Sequence, residues 1–143
     1  MIIQRTRNLS EILRCLPFET EIRKKGRDKT RLQKMLLLIQ AQLDNPLFGF
    51  WIVYDSEDEV KPDDSIIGYC VATISLIPGL EALYLQRIYA KTKEARKEIE
   101  KTLRIWSKEN NIRKCIMTVS RNIKAIQRKH KFRSISVNME RSI

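Results

Sequence analysis

The chain of 143 residues fits a single domain, 1–143, because domains commonly hold about 100 to 150 residues and a chain of this length can bury a real core. A composition that is 43% apolar and 31% charged, with four glycines and four prolines, is typical of a folded, soluble protein and excludes a disordered chain. The net charge of +11 favours anionic partners but does not indicate a fold.

The charge is unevenly distributed along the chain. Residues 1–34 carry ten Lys/Arg against four acids, residues 35–90 carry two against eight, and residues 91–143 carry sixteen against five. The two basic ends predict an anionic partner such as nucleic acid, an acidic protein or a polyphosphate cofactor. A solvated charged surface explains the same count equally well.

Several kinds of site and location are disfavoured by the sequence. No apolar run approaches the roughly 20 residues of a membrane span, so we expect no membrane partner. The start, MIIQRTRNL, lacks the apolar core of a signal peptide, which predicts a cytoplasmic protein. Cys15, Cys70 and Cys115 form no C-x-x-C pair and are expected to be reduced thiols, mostly buried. Because His130 is the only histidine, we expect no metal site.

The first half of the chain predicts one strand, two helices and a three-stranded meander. Residues 2–7 are typical of a short strand, Ser10 is a suitable N-cap for a first helix, and Thr30 is a suitable cap for a second. The segments FGFWIVYD and SIIGYCVATISLI then form a hairpin, and LEALYLQRIYA returns as the next antiparallel strand. Strict alternation would place Ala82, Tyr84, Gln86 and Ile88 on one face of that strand.

The stretch from Leu83 to Trp106 is the centre of the predicted fold. A strand ending at Ala90 leads into a helix whose apolar residues recur on one face, at Ala95, Ile99, Leu103 and Trp106. The short run KCIMTV follows as a buried strand, so the helix makes a right-handed parallel crossover.

A further helix capped by Ser120 or Asn122 and a strand in FRSISVNME complete the order β-α-α-β-β-β-α-β-α-β. The predicted class is α+β, with one mixed central sheet flanked by helices.

This order of elements resembles the GNAT superfamily of acyl-CoA-dependent N-acyltransferases over nearly the whole chain. The hairpin is similar to the second and third strands of the family, including a glycine, Gly68, near the start of the latter. The segment SRNIKAIQRKHKF is similar to the late helix of the family, which it matches at Asn122, Ala125 and Phe132. At the position where many members have a tyrosine that protonates the departing thiolate, this chain has Gln127.

The resemblance implies that acetyl-CoA is the cofactor. Its pantetheine arm would contact the backbone of the fourth strand at Ile88 and Ala90, and its pyrophosphate would lie at the start of the following helix. An alignment by helix phase places Glu98 and Glu100 at two glycines of the family motif. A second alignment lets cationic side chains meet the phosphates instead. The residues predicted to bind the cofactor at the turn and in the two helices are Lys93, Ala95, Arg96, Lys97 and Asn122.

Three residues are candidates for proton transfer. Glu81 and Tyr84 lie on the fourth strand, where a carboxylate could deprotonate the acceptor amine directly or through water. His130 has the only side chain with an unperturbed pKa near neutrality, although its helical phase with Ile123 and Ile126 favours a core or edge position.

The predicted function is therefore transfer of an acetyl group from acetyl-CoA to an amine of a small molecule or a protein. The alternative is a catalytically inactive GNAT-fold module that binds an anionic partner such as nucleic acid. Small basic acetyltransferase-like proteins occur in bacteriophages, so this alternative includes a role in phage assembly. The Leu83–Trp106 stretch has the family's position and helical phase without the family's glycines, so it supports the fold better than the activity.

Overall fold

A computed structural model describes residues 1–15, 17, 29–56 and 65–117 of the chain. Its elements in chain order are β1 (Ile2–Arg5), α1 (Leu9–Leu13), α2 (Lys29–Gln42), β2 (Phe48–Tyr54), β3 (Ile66–Ser75), β4 (Ala82–Ala90), α3 (Lys93–Glu109) and β5 (Cys115–Met117). This order matches the predicted one through the fifth strand. The predicted late helix and final strand lie outside the described residues.

The five strands form one mixed sheet in the order β1-β2-β3-β4-β5. The first four strands pair antiparallel, whereas β5 pairs parallel to β4 after the chain crosses over through α3. A parallel neighbour requires such a crossover because a tight turn cannot return the chain in the same direction. The predicted α+β architecture and its parallel crossover are therefore confirmed.

Each face of the sheet has its own apolar core. On one face, α3 packs over β2, β3 and β4 in a cluster that includes Val53, Cys70, Leu83 and Ile99. On the other face, α1 and α2 pack over a second cluster whose buried residues are Ile12, Cys15, Ile39, Phe48, Phe50, Ile52, Tyr54, Ile66, Tyr69 and Val71. The interior strands β2 and β3 are apolar on both faces because both faces are covered.

The helix α3 is amphipathic and has a defined start. Its buried residues are Ala95, Ile99, Leu103 and Trp106, as the sequence predicts. The Thr92 hydroxyl oxygen accepts a hydrogen bond from the Ala95 backbone N–H at 3.1 Å and so caps the first turn. Within the described ranges, no helix is long and apolar enough to cross a membrane.

Two predicted helix caps are wrong. The residue that caps α1 is Asn8, whose side-chain oxygen accepts hydrogen bonds from the Ser10 backbone N–H at 3.0 Å and the Ser10 hydroxyl at 2.7 Å. Ser10 lies inside α1, and Thr30 lies inside α2, which begins at Lys29. Asparagine and serine are both good caps, so local sequence does not distinguish two candidates so close together.

An arginine closes one edge of the α3-side core. The Arg5 guanidinium carbon lies 5.5 Å from the Trp51 ring and 5.3 Å from the Trp106 ring, and the two indoles meet edge to face with centroids 4.9 Å apart. Arg5 also donates hydrogen bonds to the carbonyl oxygens of Pro46 and Phe48. Partial burial lowers the pKa of Arg5, and the nearby Arg7 charge adds to this effect. The cluster joins β1, β2 and α3.

Gly68 sits where two strands and α3 approach closely. A Cβ atom at this position would lie 2.8 Å from the Tyr89 carbonyl oxygen and 3.5 Å from the Ile99 side chain. The first distance is shorter than contacts allow, and the obstructing atom is backbone. We therefore expect Gly68→Ala to lower the free energy of unfolding by about 1–3 kcal/mol. Urea denaturation of the two proteins measures this, and an unchanged midpoint would contradict it.

Candidate functional site

The described part of β5 pairs with the start of β4. Leu83, Tyr84 and Leu85 of β4 pair with Cys115, Ile116 and Met117 of β5. From that point β4 continues for five residues, from Gln86 to Ala90, before the chain enters α3. Within the described residues, β5 does not pair with this second half of β4. The backbone groups on that edge are the candidate site for an extended ligand.

A bulge in β4 follows directly after the residues that pair with the described part of β5. On the β3 side, Ala72 is opposite Leu85 and Val71 is opposite Arg87, so Gln86 is an extra residue without a partner in the register. Tyr84 and Gln86 line the α2 face, whereas Ile88 packs with the α3-side core. The predicted strict alternation, which put Ile88 on the same face as Tyr84 and Gln86, is therefore wrong. The bulge reverses the phase of the residues that follow it.

Two cavities on opposite faces of the sheet meet at this point. The α3-side cavity, of about 540 Å³, lies between β4, β5 and α3, and its lining includes Ile88 and Met117. The α2-side cavity, of about 420 Å³, is lined by Gln42, Thr73, Ser75, Tyr84, Leu85, Gln86 and Ile116. Leu85, which pairs with Met117 of β5, lines both cavities. This part of β4 is thus reached from both faces of the sheet.

The junction between β4 and α3 is fixed to the neighbouring strand. The Lys91 backbone N–H donates a hydrogen bond to the Ile67 carbonyl oxygen at 2.8 Å. The start of α3 therefore has a set position at the end of β4. Helix N-termini attract anions because their first amides lack helical partners and the helix dipole is positive there.

The residues predicted to bind the cofactor occupy different environments. Ile88 and Ala90 are partly buried on the α3 side, at the edge of the core. Ala95 is fully buried, and its amide already donates to Thr92. Lys93 and Lys97 are exposed, whereas Arg96 is partly buried. Asn122 lies outside the described residues.

The two carboxylates that replace family glycines lie on opposite flanks of α3. Glu100 lines the α3-side cavity, whereas Glu98 is two residues away, about 160° around the helix. Arg96 is one turn before Glu100 and therefore shares its flank. Glu100 lines the cavity together with Arg104 and Lys108, and Arg96 lies on the flank of Glu100, closer to the start of the helix.

The catalytic candidates are separated along β4. Tyr84 lines the α2-side cavity with Gln86, and its hydroxyl lies 3.5 Å from the Leu80 carbonyl oxygen. Glu81 precedes the strand, about 16 Å from Gln86 at 3.3 Å per residue, and its carboxylate accepts a hydrogen bond from the Gly79 N–H at 3.0 Å. His130 lies outside the described residues. The catalytic roles of all three stay predictions.

Sequence reasoning missed two polar residues of the α2-side cavity. The Thr73 hydroxyl oxygen is buried and has no hydrogen-bond partner in the described part of the structure. Gln42, at the end of α2, reaches the same cavity. A buried hydroxyl without a partner carries a free-energy cost that a ligand could remove. No local signal identifies these residues, since their meeting depends on how α2 lies across the sheet.

The cysteines do not provide a nucleophile. Burial raises the pKa of Cys115, at the edge of the α3-side cavity, to about 11, and it raises the pKa of the enclosed Cys70 thiol still further. Both therefore remain protonated near neutral pH, whereas the thiolate is the reactive form. Cys15 is also buried, and all three are free thiols.

A mixed sheet with an antiparallel first part, a bulged fourth strand and a β4–α3–β5 crossover is the arrangement of the GNAT fold. Solved structures confirm this assignment. The BH1408 protein from Bacillus halodurans matches with a TM-score of 0.71 and 13% identity, covering 95% of this chain and 96% of that one. At these levels of identity the likeness establishes the fold alone.

Two further matches are with acetyltransferases. A predicted acetyltransferase from Clostridium acetobutylicum, solved with acetyl-CoA, has a TM-score of 0.65 and 16% identity and covers 94% of this chain and 90% of that one. The aminoglycoside N-acetyltransferase AAC(6')-Iy, in complex with the bisubstrate analogue CoA-S-monomethyl-acetylneamine, has a TM-score of 0.64 and 14% identity, covering 91% and 86%. No family model and no curated protein matches the sequence.

Proposed function

We propose that the protein is an N-acetyltransferase that takes an acetyl group from acetyl-CoA and transfers it to an amine. The observation that carries this proposal is the meeting of two cavities, one on each face of the sheet, at Leu85 of β4. A two-substrate transfer needs its reactants to approach one point from different directions. The GNAT fold of the neighbouring acetyltransferases supports the same assignment.

The residues at the α3 side fit a nucleotide thioester. Acetyl-CoA would supply the acetyl group as a thioester. The backbone of β4 from Gln86 to Ala90 would hold its extended arm through hydrogen bonds, with Ile88 and Ala90 as apolar neighbours. Lys93, Arg96 and Lys97 would hold phosphate by side chain, since a helix start without glycine keeps phosphates further from its amides. Glu100 would keep the phosphates near the first turn by repulsion.

The α2-side cavity would receive the acceptor. Gln42, Thr73 and Gln86 offer neutral hydrogen-bonding groups there, and Tyr84 lies beside them. Of the two catalytic candidates that the structure describes, Tyr84 is nearer than Glu81 to Leu85, where the two cavities meet. Glu81 would act through intervening water, because it precedes the strand. His130 and Asn122 remain proposed from the sequence resemblance.

Calorimetric titration with acetyl-CoA at near-physiological salt tests the proposal. We expect saturable binding, and a stabilisation of about 2.7 kcal/mol when acetyl-CoA is present at 100 times its Kd. Free coenzyme A should bind as well, whereas an acetyl thioester without a nucleotide should bind far more weakly. Absence of both heat and thermal stabilisation at millimolar acetyl-CoA would overturn the enzyme and favour the inactive module predicted as the alternative.

A further inference from the structure

The solvent face of α3 carries an unbroken line of positive charge. Five cations recur there at spacings of three or four residues, all with exposed side chains, and they are Lys93, Lys97, Lys101, Arg104 and Lys108. At 100° per residue they fall within an arc of about 80°, opposite the buried face of the helix. We call these five residues the basic track.

The acidic residues of α3 lie beside this line rather than within it. Glu94, Glu98 and Glu109 lie on one flank and Glu100 on the other, by the same helical geometry. Among the residues that the structure describes, none of the five cations has an ion-pair partner. The track runs about 22 Å along the helix, at 1.5 Å per residue, and is flanked by carboxylates on both sides.

The positive line continues past the end of the helix. Arg113 and Lys114 are exposed, and they line a cavity at the end of α3 together with Lys108 and one carboxylate, Glu81. These two residues immediately precede β5, so the sheet fixes their position relative to the track. The charged surface is thus longer than the helix.

We propose that the basic track binds the phosphate backbone of nucleic acid. The five side chains recur along about 22 Å of one helix face, so they suit an extended polyanion better than a small anion. One strand of a duplex presents a charge about every 3.4 Å along its axis, so the 22 Å track spans about six phosphates. The proposed contacts are with phosphates and not with the edges of bases, so we expect the binding to be independent of the nucleotide sequence.

This surface shares Lys93 and Lys97 with the proposed acetyl-CoA site, and its Arg104 and Lys108 also line the α3-side cavity. Lys101, Arg104 and Lys108 lie two turns or more beyond the start of α3, where the phosphates of the cofactor would bind. Substitution of Lys101 and Arg104 therefore leaves in place the three cations proposed to hold those phosphates, Lys93, Arg96 and Lys97.

The test measures fluorescence anisotropy of a labelled oligonucleotide of about 20 nucleotides, single-stranded and duplex, between about 50 and 200 mM salt. The track variant is Lys101→Gln with Arg104→Gln. The matched control is Arg7→Gln with Lys34→Gln, which removes the same charge at two exposed positions away from α3. Circular dichroism establishes that both variants are folded.

We expect the wild-type protein to bind both oligonucleotides, with affinity that falls steeply as salt increases. The track variant should lose about tenfold or more in affinity at low salt, and its log–log salt slope should fall by about 1.4 to 1.8, since each phosphate contact contributes about 0.7 to 0.9. The control should change little. Equal losses in both variants would overturn the proposal in favour of diffuse attraction by net charge.

Two other outcomes would also overturn it. One is absence of wild-type binding at about 50 mM salt, where phosphate contacts are strongest. The other is binding to vesicles of anionic phospholipid that depends on the track while nucleic acid does not bind. That result would mean that the track binds a membrane surface. The exposed Leu76, Ile77 and Leu80 of the β3–β4 turn would then be candidates for contact with the same membrane.

Discussion

Replacing Trp106 with alanine is expected to lower the free energy of unfolding by about 3–5 kcal/mol, the usual cost of removing a buried tryptophan or phenylalanine. The Trp106 side chain is only 7% exposed and meets Trp51 edge to face. Its loss would also remove one of the two rings beneath the Arg5 guanidinium. Because small domains are stable by only about 5–15 kcal/mol, this variant should be marginal at 37 °C. Urea denaturation followed by tryptophan-independent circular dichroism measures the change.

The adjacent residue provides the control. Ile105 is on the same turn of α3 but is 50% exposed, so Ile105→Ala should change stability by less than about 1 kcal/mol. A loss at Trp106 no larger than that at Ile105 would contradict the packing described for the α3-side core. Arg5→Met then separates the charge from the packing. It keeps much of the apolar contact, so it should cost less than Trp106→Ala.

The centre of the fold could be predicted from the sequence because its signals are local. The spacing of Ala95, Ile99, Leu103 and Trp106 depends only on helical geometry, and all four are buried as predicted. The parallel crossover followed from the same stretch, since a strand, a helix and a short apolar strand in succession have few ways to pack. Agreement between pattern and packing at this level identified the GNAT fold.

The candidate site could be predicted only in part because its details are not local. The bulge at Gln86 depends on the register between β3 and β4, which no spacing within β4 reveals. Thr73 and Gln42 meet through the path of α2 across the sheet. The choice between Asn8 and Ser10 as the cap of α1 rests on backbone geometry at the end of β1. Such features arise from pairings between distant segments.

The second prediction with a large effect concerns Arg96, which lies on the same flank of α3 as Glu100. Arg96→Glu is expected to weaken acetyl-CoA binding about 100-fold. Loss of a charge-assisted hydrogen bond to phosphate costs about 1.5–3 kcal/mol, and each 1.4 kcal/mol is tenfold in affinity. A carboxylate there, one turn from Glu100, would add repulsion. Titration calorimetry measures the affinity, and thermal unfolding should show the variant to be as stable as the wild type within about 1 kcal/mol.

Lys101→Glu is the matched control because it makes the same change of charge on the solvent face of the same helix. Its side chain points away from the cavity-facing flank, so acetyl-CoA affinity should stay within about threefold of wild type at physiological salt, where exposed charges are screened beyond about 8 Å. Equal losses in the two variants would mean that net charge, not Arg96, attracts the cofactor. If the wild type binds acetyl-CoA strongly and Arg96→Glu loses no affinity, the phosphates do not bind at this flank. They would then bind at the amides of the first turn of α3 or at Lys93.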